Sequence, residues 1–367
     1  MTEPNKTFWN GKNVFITGIT GFVGSWLAET LINDYDANVF GLIRRHANPN
    51  TANIQNLLDK DKIKLIRGDI HDWGSLIQAL EESKADVVFH LASQSFVPHS
   101  FIAPHETYLT NVIGTMNILN AIKVIDKNIR MHFAGSSEEF GLVIANDEHY
   151  RKMLQKYKII FPPPKFDENG KAISEIPINE NNPMRAIGTS PYGSSKRVGE
   201  DLCKTYNSCY DMNVITTRAF NHCGKKRGIE FVTSEITRQV AQGIKNGRME
   251  MVLGNLESIR DFSDVRDIVN GYMLAVEKGV PGDIYILCSG VGRTIKEVME
   301  LAIAIGQEKF DLKHDMKYVL DSLRLRLTDL PILIGDASKA KRMFGWEPKI
   351  SFEKTIEDMI QFYLERV

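Results

Sequence analysis

Thr17-Gly18-Ile19-Thr20-Gly21-Phe22-Val23-Gly24 follows the apolar run Val14 to Thr17 and leads into an amphipathic stretch from Gly24 to Asn33. A strand, a glycine-rich turn and a helix in that order make a phosphate-binding unit. Gly18 and Gly21 permit a tight turn and the approach of a diphosphate to backbone N–H groups, and Gly24 lets the helix pack closely on the strand. A glycine triplet alone marks only a turn. Its strand-glycine-helix context makes this one a dinucleotide fingerprint, with Thr20, Phe22 and Val23 filling the loop.

The pattern continues outward from that turn. Val39 to Ile43, Lys64 to Ile66, Val87 to Leu91, Met131 to Gly135 and Val214 to Arg218 read as further short strands. Amphipathic stretches such as Trp73 to Glu82 and Tyr108 to Val124 lie between them. Strands apolar on both faces, alternating with helices, predict an α/β fold with a Rossmann-like, doubly wound parallel sheet. Past Arg218 the alternation becomes irregular, with helical runs at Ser234 to Asn246, Val265 to Lys278, Ile295 to Gly306 and Phe352 to Leu364. Residues 1–218 are therefore expected to be mainly the dinucleotide-binding domain. Residues 219–367 are expected to form mainly a smaller, mixed substrate lobe, with some elements interleaved. A polar connection over 142–189, carrying Pro162-Pro163-Pro164, is long enough to suggest a segment that covers substrate or meets a neighbouring subunit.

Composition narrows the partners. The 45 Lys+Arg and 46 Asp+Glu give a formal net charge of -1, so no nucleic-acid or acidic-membrane footprint is expected, and an anionic ligand must be met by a few placed cations. Four cysteines without metal-ligand spacing read as reduced thiols, and no metal site is expected. Met1 to Lys12 is polar and no apolar run approaches the ~20 residues of a bilayer span. A cytoplasmic protein is expected.

About 20 residues past the glycine turn, a site for NAD would place a carboxylate against the ribose 2′-hydroxyl. Arg44 and Arg45 stand there instead, so NADP is the expected cofactor, with NAD as the alternative. Asp69 and Ile70, after the third strand, are candidates for the adenine. Leu91, Ala92 and Ser93, after the fourth, are candidates for lining the cofactor. Tyr192 and Lys196 are four apart in a predicted helix and hence share a face. Lys196 can lower the phenol pKa and bind the nicotinamide ribose, leaving Tyr192 to take a proton from a sugar hydroxyl.

With these residues in view, the chain resembles the extended short-chain dehydrogenase/reductases over nearly its whole length, and within them the nucleotide-sugar 4,6-dehydratases. Similar motifs are Gln94-Ser95-Phe96-Val97, Phe220-Asn221-His222 with Arg227-Gly228 and Phe231-Val232-Thr233, and Leu253-Gly254-Asn255-Leu256 with Arg260-Asp261. The resemblance implies Ser136 as the catalytic hydroxyl and Glu138 as the general base, beside Tyr192 and Lys196. It implies a GDP-sugar substrate contacted by Gln94, Ser95, Asn221, Arg227 and Val232, and a homodimer or homotetramer. Arg260 and Arg326 are the expected diphosphate ligands, because guanidinium forks suit phosphate oxygens. The run Arg260 to Asp267 resembles the family's 4-keto-sugar reductases more than its dehydratases, which leaves an NADPH-dependent reductase as the alternative, ahead of a non-catalytic NADP(H)-binding regulator. Ser137 and Glu139 read as structural or solvated neighbours of the catalytic pair.

Overall fold

The computed structural model describes residues 2–46, 50–60, 62–325 and 330–367. Six strands come from the first half: β1 (Asn13–Thr17), β2 (Asn38–Ile43), β3 (Lys64–Arg67), β4 (Val87–His90), β5 (Arg130–Ser136) and β6 (Val214–Ala219). The second half supplies β7 (Asn221–Cys223), β8 (Glu250–Leu253), β9 (Ile259–Asp264), β10 (Ile284–Leu287), β11 (Gly292–Thr294), β12 (Lys317–Leu320) and β13 (Ile332–Leu333).

The main sheet has the order β10-β6-β5-β4-β1-β2-β3, and every pairing in it is parallel. Its central strands are buried on both faces, as in Val87-Val88-Phe89-His90 and Val214 to Ala219. This explains the continuous apolar runs in the sequence. Two large apolar clusters cover the two faces, one containing Trp9, Leu27 and Tyr272, the other Leu76, Ile118 and Met131. Two smaller sheets, one joining β11, β9, β13 and β7 and the other pairing β12 with β8, build the second lobe around its own cluster of Ile236, Met251 and Ile356.

The lobes are interleaved. The helix Val265–Lys278 contributes Ile268, Val269 and Tyr272 to the core beneath the first lobe, and β10 extends the main sheet. The stretch expected as one helix from Tyr108 to Val124 is an α-helix, a π-helical turn at Leu109–Ile113 and a second α-helix. Such single wide turns often sit at functional sites. Here the turn carries Asn111, whose carboxamide reaches Gln94 and Ser195.

Chain order reverses at β1, which lies between β2 and β4, and doubly wound folds bind ligands outside the carboxyl ends of strands at such a point. The cleft described next opens there.

The 142–189 connection is folded. It contains the helix Asp147–Tyr157 and a small core of Leu142, Ile144, Ile160 and Ala172. At its centre Glu175 and the fully buried Arg185 form a two-point ion pair, with oxygen–nitrogen distances of 2.7 and 2.6 Å. Arg185 also donates to the carbonyls of Pro162 and Leu142. None of the described residues of this connection lines the cleft. The ion pair holds the segment folded on itself.

Candidate active site

A cleft of about 610 Å³ lies along the carboxyl ends of β1, β4, β5 and β6. Its floor is the glycine turn. Gly18 has φ +75°, and a Cβ there would fall 2.8 Å from the nitrogen of Ala92; a Cβ on Gly24 would fall 2.3 Å from the carbonyl oxygen of Gly18. Both positions therefore exclude side chains, which leaves the start of the helix Phe22–Tyr35 open to the cleft. Thr17 ties the turn to the end of β4: its hydroxyl accepts the N–H groups of Leu91 and Ala92 at 3.2 Å each. The same hydroxyl meets His90, whose buried imidazole is pushed down to about 3 by burial and is therefore a neutral structural group. This narrow, side-chain-free cradle at a helix N-terminus fits a dinucleotide diphosphate.

The cleft brings together Gly18, Thr20, Gly21, Phe22, Val23, Gly24, Arg44, Asp69, Ile70, Leu91, Ala92 and Ser93 on the side of the turn. It brings Gln94, Ser95, Ser136, Glu138, Tyr192, Lys196, Asn221 and Arg227 to the other side. All three of Arg44, Arg45 and His46 are exposed, but Arg44 and His46 line the cleft at the end of β2 and Arg45 does not. Nothing in the sequence separates the two arginines, because they differ only in which way a strand end turns.

Ser136 ends β5 and caps the short helix Ser137–Phe140, accepting the N–H of Glu138 at 3.2 Å. Tyr192 opens the long helix Pro191–Tyr210, which is capped by Ser190 and started by proline at its first position. Gly193 allows that helix to sit against the Ser136 turn, since a Cβ there would lie 2.6 Å from the Glu138 carbonyl oxygen. The packing brings the Tyr192 phenol up to the Ser136 hydroxyl. Burial pushes the phenol up to about 12; Ser136 and the Arg227 guanidinium pull it down, and Glu138 and Glu139 oppose them.

Lys196, one helical turn on, donates to the Ala134 carbonyl at 2.9 Å and lies over the Phe133 ring. Burial pulls its ammonium down to about 8. The cation that acts on the Tyr192 phenol in this structure is Arg227. Its guanidinium stacks 3.9 Å from the ring centre of Phe231 and 5.1 Å from that of Phe22, and makes no ion pair or hydrogen bond among the described residues. A half-buried cation between two aromatic rings, facing the cleft, is suited to an anion.

Other expected ligands are placed elsewhere. Gln94 lines the cleft, but its carboxamide is bonded to Thr107 and to the N–H of Phe96, which fixes the loop. Val232 starts the helix Val232–Asn246 and packs on the second lobe's core. Arg260 is 5% exposed on β9, donates to the Ile259 carbonyl and does not line the cleft. It rides an inner strand of the second lobe's four-stranded sheet, away from the carboxyl ends of the main sheet where the cleft opens. Arg326 lies outside the described residues. Among the residues not singled out from the sequence, His46, Asn50, Phe231 and Tyr272 also line the cleft. Tyr272 comes from a helix more than fifty residues past β6, and no local pattern marks it.

No cluster of His, Cys, Asp or Glu that could hold a metal occurs among the described residues, and no helix among them is long and apolar enough to cross a membrane.

Comparison with known proteins agrees with this geometry. Residues 14–288 match the model of the NAD dependent epimerase/dehydratase family. A GDP-mannose 4,6 dehydratase of Drosophila melanogaster is 31% identical over 96% of this chain and 86% of its own length. GDP-mannose 4,6 dehydratase 1 of Arabidopsis thaliana is 32% identical over 96% and 90%. Among solved structures, RMD from Pseudomonas aeruginosa complexed with NADPH superposes with a TM-score of 0.73 at 25% identity, over 96% of this chain and 99% of that one. A glycine cradle, a Ser-Tyr-Lys set in one cleft and a family match across three quarters of the chain converge: the chain belongs to the NAD dependent epimerase/dehydratase family.

Proposed function

We propose that this protein is a nucleotide-sugar 4,6-dehydratase acting on a GDP-sugar, GDP-mannose or a close relative, with NADP as resident cofactor. The observation that carries the reading is the convergence of Ser136, Glu138, Tyr192 and Lys196 on one cleft beside the glycine cradle. The named relatives supply the base and sugar. Arg44 and His46 at the end of β2, with no carboxylate beside them, favour a ribose 2′-phosphate.

The glycine turn and the N–H groups opening Phe22–Tyr35 would hold the diphosphate, and Lys196 the nicotinamide ribose. A nicotinamide bound there would supply the hydride acceptor for C4 of the sugar and the hydride donor for C6. Tyr192 takes the proton of the C4 hydroxyl, and Ser136 holds that hydroxyl and the phenol in line. The resulting 4-ketone acidifies C5–H. Glu138 then removes the C5 proton and assists loss of the C6 hydroxyl as water; a proton is given back to C5 as hydride reaches C6, so the net change is the loss of one water and the cofactor is not consumed. Arg227 stands where it stabilises a phenolate and meets substrate anion.

Incubation with GDP-mannose and NADP⁺, without added reductant, should yield a 4-keto-6-deoxy sugar. A strict need for stoichiometric NADPH, with no product from GDP-mannose, would replace this reading with a 4-keto-sugar reductase. Tyr192→Phe should stop every step, including any transient reduced-nicotinamide absorbance, with a loss of roughly 10²- to 10⁴-fold. Glu138→Gln should still oxidise C4 but slow water loss by ~10²-fold or more, with solvent deuterium absent from C5. Dehydration at the wild-type rate by the Glu138 variant would sink the assigned base.

A further inference from the structure

Glu139, next to the proposed base, takes no part in that mechanism, yet it is 1% exposed. Its Oε1 accepts the backbone N–H of Ser136 at 2.6 Å, closing a reciprocal cap in which Ser136 Oγ accepts from the following turn. Its Oε2 lies 3.4 Å from Nε of Arg218 and has no hydrogen-bond donor. Arg218 itself is committed to Glu200, with Nε and Nη2 at 2.8 and 2.6 Å from the two carboxylate oxygens. Lys204 adds a third contact to Glu200 at 2.7 Å. Gly135 makes room for this arrangement: a Cβ there would fall 2.7 Å from Glu139 Oε1.

We propose that Glu139, wedged between Ser136 and the Glu200–Arg218 pair, is a positioning residue that fixes the Ser136 hydroxyl against Tyr192. The argument begins with charge. Two buried carboxyls share one guanidinium, and Glu200 holds both of its strong contacts as well as Lys204. Glu139 Oε2 is therefore left with one 3.4 Å contact and no hydrogen bond, and a buried carboxylate so weakly met favours its protonated form. Burial first, then the charge of Glu200, push Glu139 well above the usual carboxylate range, against the pull of Arg218. The carboxyl thus links two elements: its Oε1 holds the end of β5, and its Oε2 faces Arg218 of β6, which is itself tied to Glu200, two turns along the helix from Tyr192. The charged and titratable groups around it are Tyr192, Lys196, Glu200 and Cys203 of that helix and Arg218 of β6. Ser136 and Tyr192 are thereby fixed from behind by one buried network.

This inference rests on the dehydratase reading for its kinetic arm, so the test has a second arm that needs no substrate. With GDP-mannose, Glu139→Leu should lower kcat at least tenfold with KM nearly unchanged. Glu139→Gln, which keeps the carbonyl acceptor and replaces the hydroxyl donor with an amide, should restore kcat to within about threefold of wild type. Wild-type kcat in the Leu variant, or equal losses in Leu and Gln, would overturn the proposal. Without substrate, thermal unfolding of wild type and Glu139→Gln should be followed against pH. A carboxyl raised in the folded state loses stability as pH climbs from its unfolded value of 4.5. The wild-type Tm should accordingly fall relative to the Gln variant as pH rises from 5 to 8, and parallel curves would overturn the neutral carboxyl. If wild type leaves GDP-mannose unchanged, the functional reading fails while the pH arm still decides Glu139.

Discussion

The glycine turn and the 142–189 connection are both irregular backbone adjoining the same catalytic elements, but they are held by opposite means. The turn is fixed by what it lacks: an added carbon at Gly24 would collide with the turn's own backbone, and one at Gly18 with the backbone of Leu91 and Ala92 at the end of β4. The connection is fixed by what it gains. Glu175 and Arg185, ten residues apart, meet in its interior together with a small apolar cluster and the carbonyls of Pro162 and Leu142. Steric exclusion sets the first, and a pairing of charges that exists only once the segment has folded sets the second. A buried pair of that kind is lost when either partner is removed, whereas the turn is lost when a side chain is added.

The largest expected effect breaks the connection. Arg185→Ala leaves Glu175 buried without its partner, which should destabilise this segment by about 3–5 kcal/mol. Limited proteolysis should then cut within 142–189 first, with the sheet still protected. Resistance equal to wild type would mean that the apolar cluster, not the ion pair, holds the segment.

A smaller effect sharpens the other side. Arg44 faces the cleft and Arg45 does not, so Arg44→Ala should weaken NADP⁺ by roughly tenfold or more, the worth of a hydrogen bond to a charged group, with little change for NAD⁺. Arg45→Ala should leave both affinities nearly unchanged. Equal loss of NADP⁺ and NAD⁺ in the Arg44 variant would remove the argument for a 2′-phosphate.

The smallest effect is a pH dependence. Burial holds Lys196 near 8 rather than 10.5, so its ammonium is present below that value and is lost as pH rises through it. Binding of NADP⁺ to the protein should decline above pH 8, and Lys196→Met should lie flat across the same window. The stability sign is the reverse. Between about 8 and 10.5 the unfolded chain binds the proton that the folded one does not, so folding should become more favourable as pH climbs. A binding profile that stays level through pH 8 would mean that Lys196 is not the group that meets the cofactor.

Much of this molecule was legible locally. Thr17 to Gly24 announced strand, turn and helix in eight residues, and the six strands of the first half begin and end within a residue or two of their apolar runs. Tyr192 and Lys196 could be paired because helical spacing alone puts them on one face. The catalytic hydroxyl and base became visible only through resemblance, as fixed offsets from Gly141.

What sequence left open was the direction in which each side chain points once elements meet. Arg260 carries the right chemistry for a diphosphate but is buried on a strand of the second lobe's sheet, outside the cleft. Arg44 and Arg45 are indistinguishable until β2 ends at the cleft. Glu139 read as a structural or solvated neighbour of Glu138, and the tertiary structure chooses between the two: the 3-10 turn puts Glu138 at the cleft and buries Glu139 against Arg218. The sequence by itself determined the sheet, the cradle and the tyrosine–lysine pair, because steric exclusion and periodicity act over a few residues. Only the tertiary structure decided which charges face ligand and which are buried against one another, because that depends on partners brought from distant parts of the chain.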